Sequence, residues 1–139
     1  MVTRARKEEL LRLALGFVSQ ERFYWSRPDR EARLANFGSE QEELWDEVVG
    51  DFIGCTPRSD ELLVLIARHH DFDLLDVFGQ GYLQPWVEKA SLERLEWLAE
   101  LVRSNDRVRQ AVSGVQVPPE ATPESSLWAL IPGPSKWGP

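Results

Sequence analysis

The spacing of apolar residues restricts the fold of this chain more than any other feature. Along most of its 139 residues, apolar side chains recur three or four positions apart, as they do on one face of an α-helix. No convincing alternating run exceeds four residues, so strands are not expected. A chain of this length usually builds one core. The sequence therefore predicts an all-α fold, a compact single-domain helical bundle of five to seven helices, several of them short.

Local signals set the expected boundaries of the first helices. The first helix is predicted from about Thr3 to Tyr24, and a short helical piece follows over 29–35. Ser39 and Glu42 form a capping box at the start of the second helix, because each side chain can satisfy a free backbone N–H at that end. Gly54 is the expected end of this helix.

Shorter helices are expected in the rest of the chain. Thr56 is the predicted cap of a third helix that ends near His70. Further helices or helical turns are predicted over 71–78, 82–89, 91–104 and 105–113. Gly79 and Gly114 are read as the ends of two of them, since glycine favours the position that follows a helix.

The composition changes after Val115. Residues 116–139 contain six of the nine prolines. Trp128 and Ile131 would be left in water if this segment did not pack on the helices. We therefore predict a helical domain over 1–115 and a Pro-rich C-terminal strap over 116–139 that packs on the same domain, with its last residues, 132–139, mobile.

The charge of the chain is concentrated in its middle third. The formal net charge is −7, and residues 39–76 hold 11 Asp and Glu against 2 Lys and Arg. Such a balance argues against nucleic-acid binding, which needs clustered Lys and Arg.

No apolar run approaches the roughly 20 residues that span a bilayer. A single Cys without a signal-peptide pattern is typical of a cytoplasmic protein.

The second helix separates apolar from acidic residues. Its expected core positions are Leu44, Trp45, Val48, Val49, Phe52 and Ile53. The opposite arc carries Glu40, Glu43, Asp46, Glu47 and Asp51, with no Lys or Arg between Gly38 and Pro57. An ordinary solvated helix face usually mixes both signs. We therefore consider two interpretations of these five carboxylates, a solvated surface and a surface that attracts a basic partner.

The helix over 91–104 supplies candidate anchors for a partner. Its expected core residues are Leu92, Leu95, Leu98, Ala99 and Val102. Trp97 and Leu101 lie off that arc, four residues apart, and so need a second neighbour. Because Trp often dominates binding energy, these two residues join the five carboxylates as predicted partner-binding residues.

Signals for catalysis or metal binding are weak. The adjacent His69 and His70 point about 100° apart on a helix, so they do not converge on one ion. Cys55 has no partner for a disulfide and fits a buried, inert thiol. The 79–81 Gly-Gln-Gly turn lacks the rest of a phosphate-binding fingerprint. We expect no catalytic residue, no metal and no cofactor.

Three segments between Leu44 and Val115 are similar to an uncharacterised family of small bacterial helical domains. These segments are Leu44-Trp45, the glycine-containing turn over 78–83, and the 105–115 stretch with its Asp, paired Arg and Gly-Val ending. The resemblance covers about half of the chain. It implies a compact helical module of the size found among bacterial accessory and immunity proteins, and it supplies no catalytic residues.

These features favour a non-catalytic acidic protein-binding module. The most concrete form is an immunity, or antitoxin-like, protein that binds and neutralises a basic partner such as a co-encoded toxin. The alternative is a structural or adaptor subunit of a larger bacterial assembly that docks through Trp97, Leu101 or the C-terminal strap. A third hypothesis is a small metal-dependent enzyme built on residues 69–73.

Overall fold

The regular structure of this protein is helical. The computed structural model describes residues 3–26, 38–117 and 125–131, and all regular elements in these ranges are helices or helical turns. The predicted all-α fold class is confirmed. The helical piece expected over 29–35 and the mobility expected over 132–139 lie outside the described residues. No described helix is long and apolar enough to cross a membrane.

In chain order, the described α-helices are α1 (Arg4–Ser26), α2 (Glu40–Gly54), α3 (Ser59–His69), α4 (Leu75–Phe78), α5 (Gln84–Lys89), α6 (Leu92–Ser104) and α7 (Asp106–Val112). A 3₁₀ turn, Phe72–Leu74, precedes α4, and a π-helical turn, Gly79–Leu83, joins α4 to α5. A second 3₁₀ turn covers Ser126–Leu130.

Side-chain caps begin three of the helices where the sequence places them. The amide of Glu42 donates to the Ser39 hydroxyl at the start of α2, at 3.1 Å. The Ser91 hydroxyl accepts from the amide of Arg94 at the start of α6. The Asn105 side chain accepts from two amides at the start of α7. These short-range bonds explain why the boundaries follow from local sequence.

The chain divides into two compact units. The first comprises Met1–Asp51 and Thr56–Asp71, and the second comprises Phe52–Cys55 and Phe72–Pro139. In the first unit α1 packs along α3. Leu13 and Phe17 of α1, with Leu62 and Ile66 of α3, are fully buried there.

In the second unit the π-helical turn and α4 pack against α7, and α6 packs against α7. As the sequence predicts, α4 ends at Phe78 and Gly79 is its C-cap residue, but the chain continues through Gly79 in helical geometry into the π-helical turn. A Cβ at Gly79 would overlap the carbonyl oxygen of Ala111, and a Cβ at Gly114 would overlap that of Asp76. Both glycines are therefore needed for close helix packing.

The described part of the C-terminal segment lies on α6. Its 3₁₀ turn packs against that helix, and Leu127 and Ile131 are buried. The predicted division between residues 1–115 and a strap over 116–139 stays a prediction.

Candidate partner-binding surface

Helix α2 buries one side and exposes a carboxylate-rich side. Leu44, Val48 and Phe52 are buried, as predicted, whereas Trp45 and Val49 are only half-buried. Ile53, a predicted core residue, is 50% exposed, so that part of the prediction is wrong. The buried stripe is therefore narrower than the apolar pattern suggests.

The exposed side of α2 carries four of the five predicted carboxylates. Glu40, Glu43, Asp46 and Glu47 are all exposed, and we call them the acidic face. The carboxylates in the first turn also have a structural role, because negative charge is favourable at a helix N-terminus. The carboxylate of Glu42 accepts from the amide of Gly38 at 3.0 Å and completes the cap.

Asp51 does not belong to the acidic face. It is only 7% exposed, so its predicted position on the exposed arc is wrong. Its carboxylate accepts from the Thr56 hydroxyl at 2.8 Å and from Nε of Arg58 at 2.7 Å. Thr56 therefore binds Asp51 instead of capping α3, which begins without a side-chain cap bond. The reason is that the turn after α2 brings both donors back towards the end of the same helix.

Two arginines neutralise part of the acidic face. Nη2 of Arg58 lies 2.8 Å from Oε1 of Glu47. This hydrogen bond is the largest of the interactions that raise the pKa of Arg58. Nη2 of Arg12 lies 3.1 Å from Glu40. Among the described residues, neither Glu43 nor Asp46 has an ion-pair partner. The uncompensated part of the acidic face is therefore centred on Glu43 and Asp46.

Gly50 lies on the same exposed side, one helical turn after Asp46 and Glu47. A Cβ at this position would meet no atom of the described residues within 4 Å. Glycine inside a helix destabilises it by about 0.5–1 kcal/mol relative to alanine. Packing within the part of the chain that the structure describes therefore does not explain Gly50. Sequence reasoning missed this residue, although a glycine within a strongly patterned helix is a visible signal.

Trp97 and Leu101 are half-buried on α6. The ring of Trp97 lies against that of fully buried Trp86, with centroids 6.4 Å apart. The second neighbour that Trp97 needs is thus supplied within the chain. Leu92, expected in the core of α6, is 41% exposed, and this prediction is wrong.

The histidine segment forms structural contacts. His70 is buried, packs edge-on against Phe17 and accepts from the Asp71 amide through Nδ1 at 3.0 Å. The Asp71 carboxylate binds the guanidinium of Arg22, with a shortest distance of 2.9 Å. His69 is exposed. Within the described ranges, no group of three or more His, Cys, Asp or Glu residues could hold a metal ion.

Cys55, the residue after the end of α2, has an unusual backbone conformation. It is buried, as predicted, and its φ of +51° lies in the left-handed region that favours glycine. Nη1 of Arg94 donates to its carbonyl at 2.8 Å and to its sulfur at 3.1 Å. Nζ of Lys89 donates to the carbonyl of Ile53 at 2.6 Å. Both cations lie far from Cys55 in sequence, so local spacing gives no signal of them.

No family model, no curated protein and no solved structure matches this chain. The resemblance to the family of small bacterial helical domains stays a prediction. The functional argument therefore depends on the residues themselves.

Proposed function

We propose that this protein is a non-catalytic, acidic protein-binding module, most concretely a cytoplasmic immunity protein that neutralises a basic partner such as a co-encoded toxin. The partner contacts the acidic face of α2. The observation that carries this proposal is the pair of exposed carboxylates of Glu43 and Asp46, which have no ion-pair partner among the described residues and lie beside Glu47 on a helix that contains no Lys or Arg.

The electrostatic role of this surface is to speed association. A field of one sign attracts an oppositely charged partner from a distance, and fixed charges on a helix keep that field in one orientation. Glu47 contributes less, because Arg58 already binds it. Asp51 has no place in the contact, because it is buried in its own bonds.

Gly50 favours the interpretation of the exposed side of α2 as an interface rather than as a solvated surface. At a solvated helix position, alanine gives more stability than glycine, and alanine at position 50 would clash with no described residue. A partner that packs closely on the helix benefits from the missing side chain. A glycine at this position fits the common exchange of stability for binding.

The test measures association kinetics with the purified product of the neighbouring gene. One variant replaces Glu43, Asp46 and Glu47 by Gln, Asn and Gln. We expect its association rate to fall by about ten-fold at low salt, with a smaller effect at high salt as charges are screened. The matched control replaces the exposed carboxylates of Asp73, Glu88 and Glu93, which changes the net charge by the same amount.

A local surface and a general charge effect give different results in this comparison. Equal rates for the two triple variants would mean that only net charge matters, and the acidic face would lose its assignment. A wild-type rate that does not depend on salt would also contradict the proposal. We expect Gly50→Ala to weaken binding while it stabilises the fold, because the added methyl group keeps the partner away from the helix.

A structural or adaptor subunit is the second candidate function. It is favoured by Leu11 and Leu15, four residues apart on α1 and 37% and 41% exposed. Apolar residues at this spacing suit packing against another helix. In this case a variant with both Leu11→Ser and Leu15→Ser should no longer assemble with the other subunits, whereas the variant of Glu43, Asp46 and Glu47 should still assemble. That result would favour the adaptor function over the immunity function.

A further inference from the structure

One arginine of this chain binds two carboxylates of α2. Nε of Arg58 lies 2.7 Å from Oδ2 of Asp51, and its Nη2 lies 2.8 Å from Oε1 of Glu47. Because the guanidinium group is planar and carries several donors in fixed directions, a single group can bind both carboxylates at once. Glu47 and Asp51 are four residues apart on α2, where helical side chains are neighbours.

A second arginine has the same arrangement. Nη1 of Arg12 lies 3.4 Å from Oε2 of Glu9, and its Nη2 lies 3.1 Å from Oε1 of Glu40. Glu9 precedes Arg12 by one turn on α1, whereas Glu40 begins α2. A lysine ammonium group is a compact, strongly hydrated charge and lacks this planar set of donors. In two places, therefore, a guanidinium group binds a pair of neighbouring carboxylates.

Glu43 and Asp46 form a pair of neighbouring carboxylates without a guanidinium group from the described residues. They are three residues apart on the exposed side of α2, a spacing that places their Cβ atoms about 5–6 Å apart. Like charges at this spacing repel each other, so a cation that binds both of them is favoured. The pair lies about one turn before the two carboxylates that Arg58 binds.

We propose that the partner places one arginine side chain between Glu43 and Asp46. Its guanidinium group binds both carboxylates at once, in the way that Arg58 binds two carboxylates later on the same helix. This inference rests on the proposed function, because it names the chemical group that the acidic face binds. Charge-assisted bonds to two carboxylates use the fixed donor directions of arginine. At equal charge, the acidic face therefore prefers arginine to lysine.

The experiment compares two blocked peptides of equal charge, hexa-arginine and hexa-lysine, by isothermal titration calorimetry with the full chain at low salt. We expect hexa-arginine to bind the wild type about three-fold or more tightly than hexa-lysine. The double variant Glu43→Gln, Asp46→Asn should bind the two peptides with about equal affinity. The matched control replaces the exposed Asp73 and Glu93 by Asn and Gln. It changes the net charge by the same amount and should keep the wild-type ratio of affinities.

Single substitutions test whether one guanidinium group binds both carboxylates. If it does, Glu43→Gln alone and Asp46→Asn alone should each remove most of the preference for arginine, and the double variant should remove little more. Additive losses would mean that the two carboxylates bind separate groups, and they would overturn the inference. Both side chains are exposed, so these substitutions should leave the fold intact.

Failure of this inference is distinguishable from failure of the proposed function. Equal affinities of the two peptides for the wild type, both weakened in the double variant but not in the control variant, would overturn the arginine assignment alone. The acidic face would then still bind cations. Equal binding by the double variant and the control variant would overturn both proposals. A preference for arginine that survives in the double variant would place the guanidinium group elsewhere on the chain and overturn the inference.

Discussion

The sequence pattern and the structure predict opposite effects of the Asp51→Asn substitution on the stability of the protein. On an exposed arc, loss of this charge would relieve repulsion from Glu47, four residues away, and stabilise the helix by about 0.2–0.5 kcal/mol. In the structure Asp51 is buried and binds Thr56 and Arg58. The same substitution should therefore destabilise the protein.

The expected magnitude follows from the bonds that the Asp51→Asn variant would lose. A hydrogen bond to a charged group contributes about 1.5–3 kcal/mol. An Asn side chain can still accept from Thr56, but its amide group would meet the Arg58 Nε–H, which is also a donor. The side chain of Arg58 is 32% exposed, so solvent screens part of the loss. We expect the free energy of unfolding to fall by about 1–2.5 kcal/mol.

The assay is urea unfolding of four proteins at neutral pH: the wild type, Asp51→Asn, Asp46→Asn and Glu47→Gln. Asp46 is the matched control, since it lies on the same helix and is exposed. We expect Asp46→Asn to change the free energy of unfolding by less than about 0.5 kcal/mol. Glu47→Gln removes an exposed ion pair and should cost less than about 1 kcal/mol.

A neutral or stabilising Asp51→Asn would refute this reasoning, because it would mean that the carboxylate is solvated. An equal loss in Asp51→Asn and Asp46→Asn would refute it as well, since only one of the two side chains is buried. The result decides which carboxylates of α2 are available to a partner.

Two further predictions concern backbone positions. Gly79→Ala should destabilise the protein by more than about 2 kcal/mol, because the new methyl group overlaps the Ala111 carbonyl oxygen. Gly50→Ala should instead stabilise it by about 0.4–1 kcal/mol. Thermal unfolding of both variants checks these opposite signs, and a Gly79→Ala variant as stable as the wild type would contradict the close packing at Gly79. The Cys55→Gly variant should be more stable than the Cys55→Ala variant by about 1 kcal/mol. Both variants lack the sulfur, but only alanine has a Cβ that makes the left-handed backbone conformation unfavourable. Equal free energies of unfolding would show that φ at this position is not strained.

The sequence predicts those features of the fold that depend on short-range bonds. Ser39, Ser91 and Asn105 each cap a helix within three residues of themselves, so the starts of these three helices follow from local sequence. The burial of Val48 and Phe52 also follows from periodicity alone, because the centre of an apolar arc is insensitive to small errors of phase.

The features that the sequence does not predict depend on distant partners. Gly79 follows the end of α4 as the sequence predicts, but the need for glycine there comes from the carbonyl of Ala111, 32 residues later in the chain. Asp51 looks like a member of the acidic face, but a turn returns Arg58 to it. Ile53 and Leu92 lie at the edges of their apolar arcs, where a small rotation of the helix decides between core and solvent.

On the candidate partner-binding surface, too, some features follow from local sequence and others depend on distant residues. Glu43 and Asp46 are exposed, as helical periodicity predicts, since they lie opposite the buried stripe. The pairing of Glu40 with Arg12 and of Glu47 with Arg58 requires the tertiary structure. Only the structure therefore shows which of the five candidate carboxylates lack a counter-charge among the described residues, namely Glu43 and Asp46.

The two ends of α2 imply an order of folding. The cap at its N-terminus uses Ser39 and Glu42, so it can form as soon as the first turn forms. The carbonyls at its C-terminus find their donors in Lys89 and Arg94, 36 and 39 residues away. Closure of a loop of that length costs chain entropy before any contact forms. The carbonyls of Ile53 and Cys55 therefore gain these donors only after α5 and the start of α6 have formed, whereas the first turn of α2 needs no distant residue.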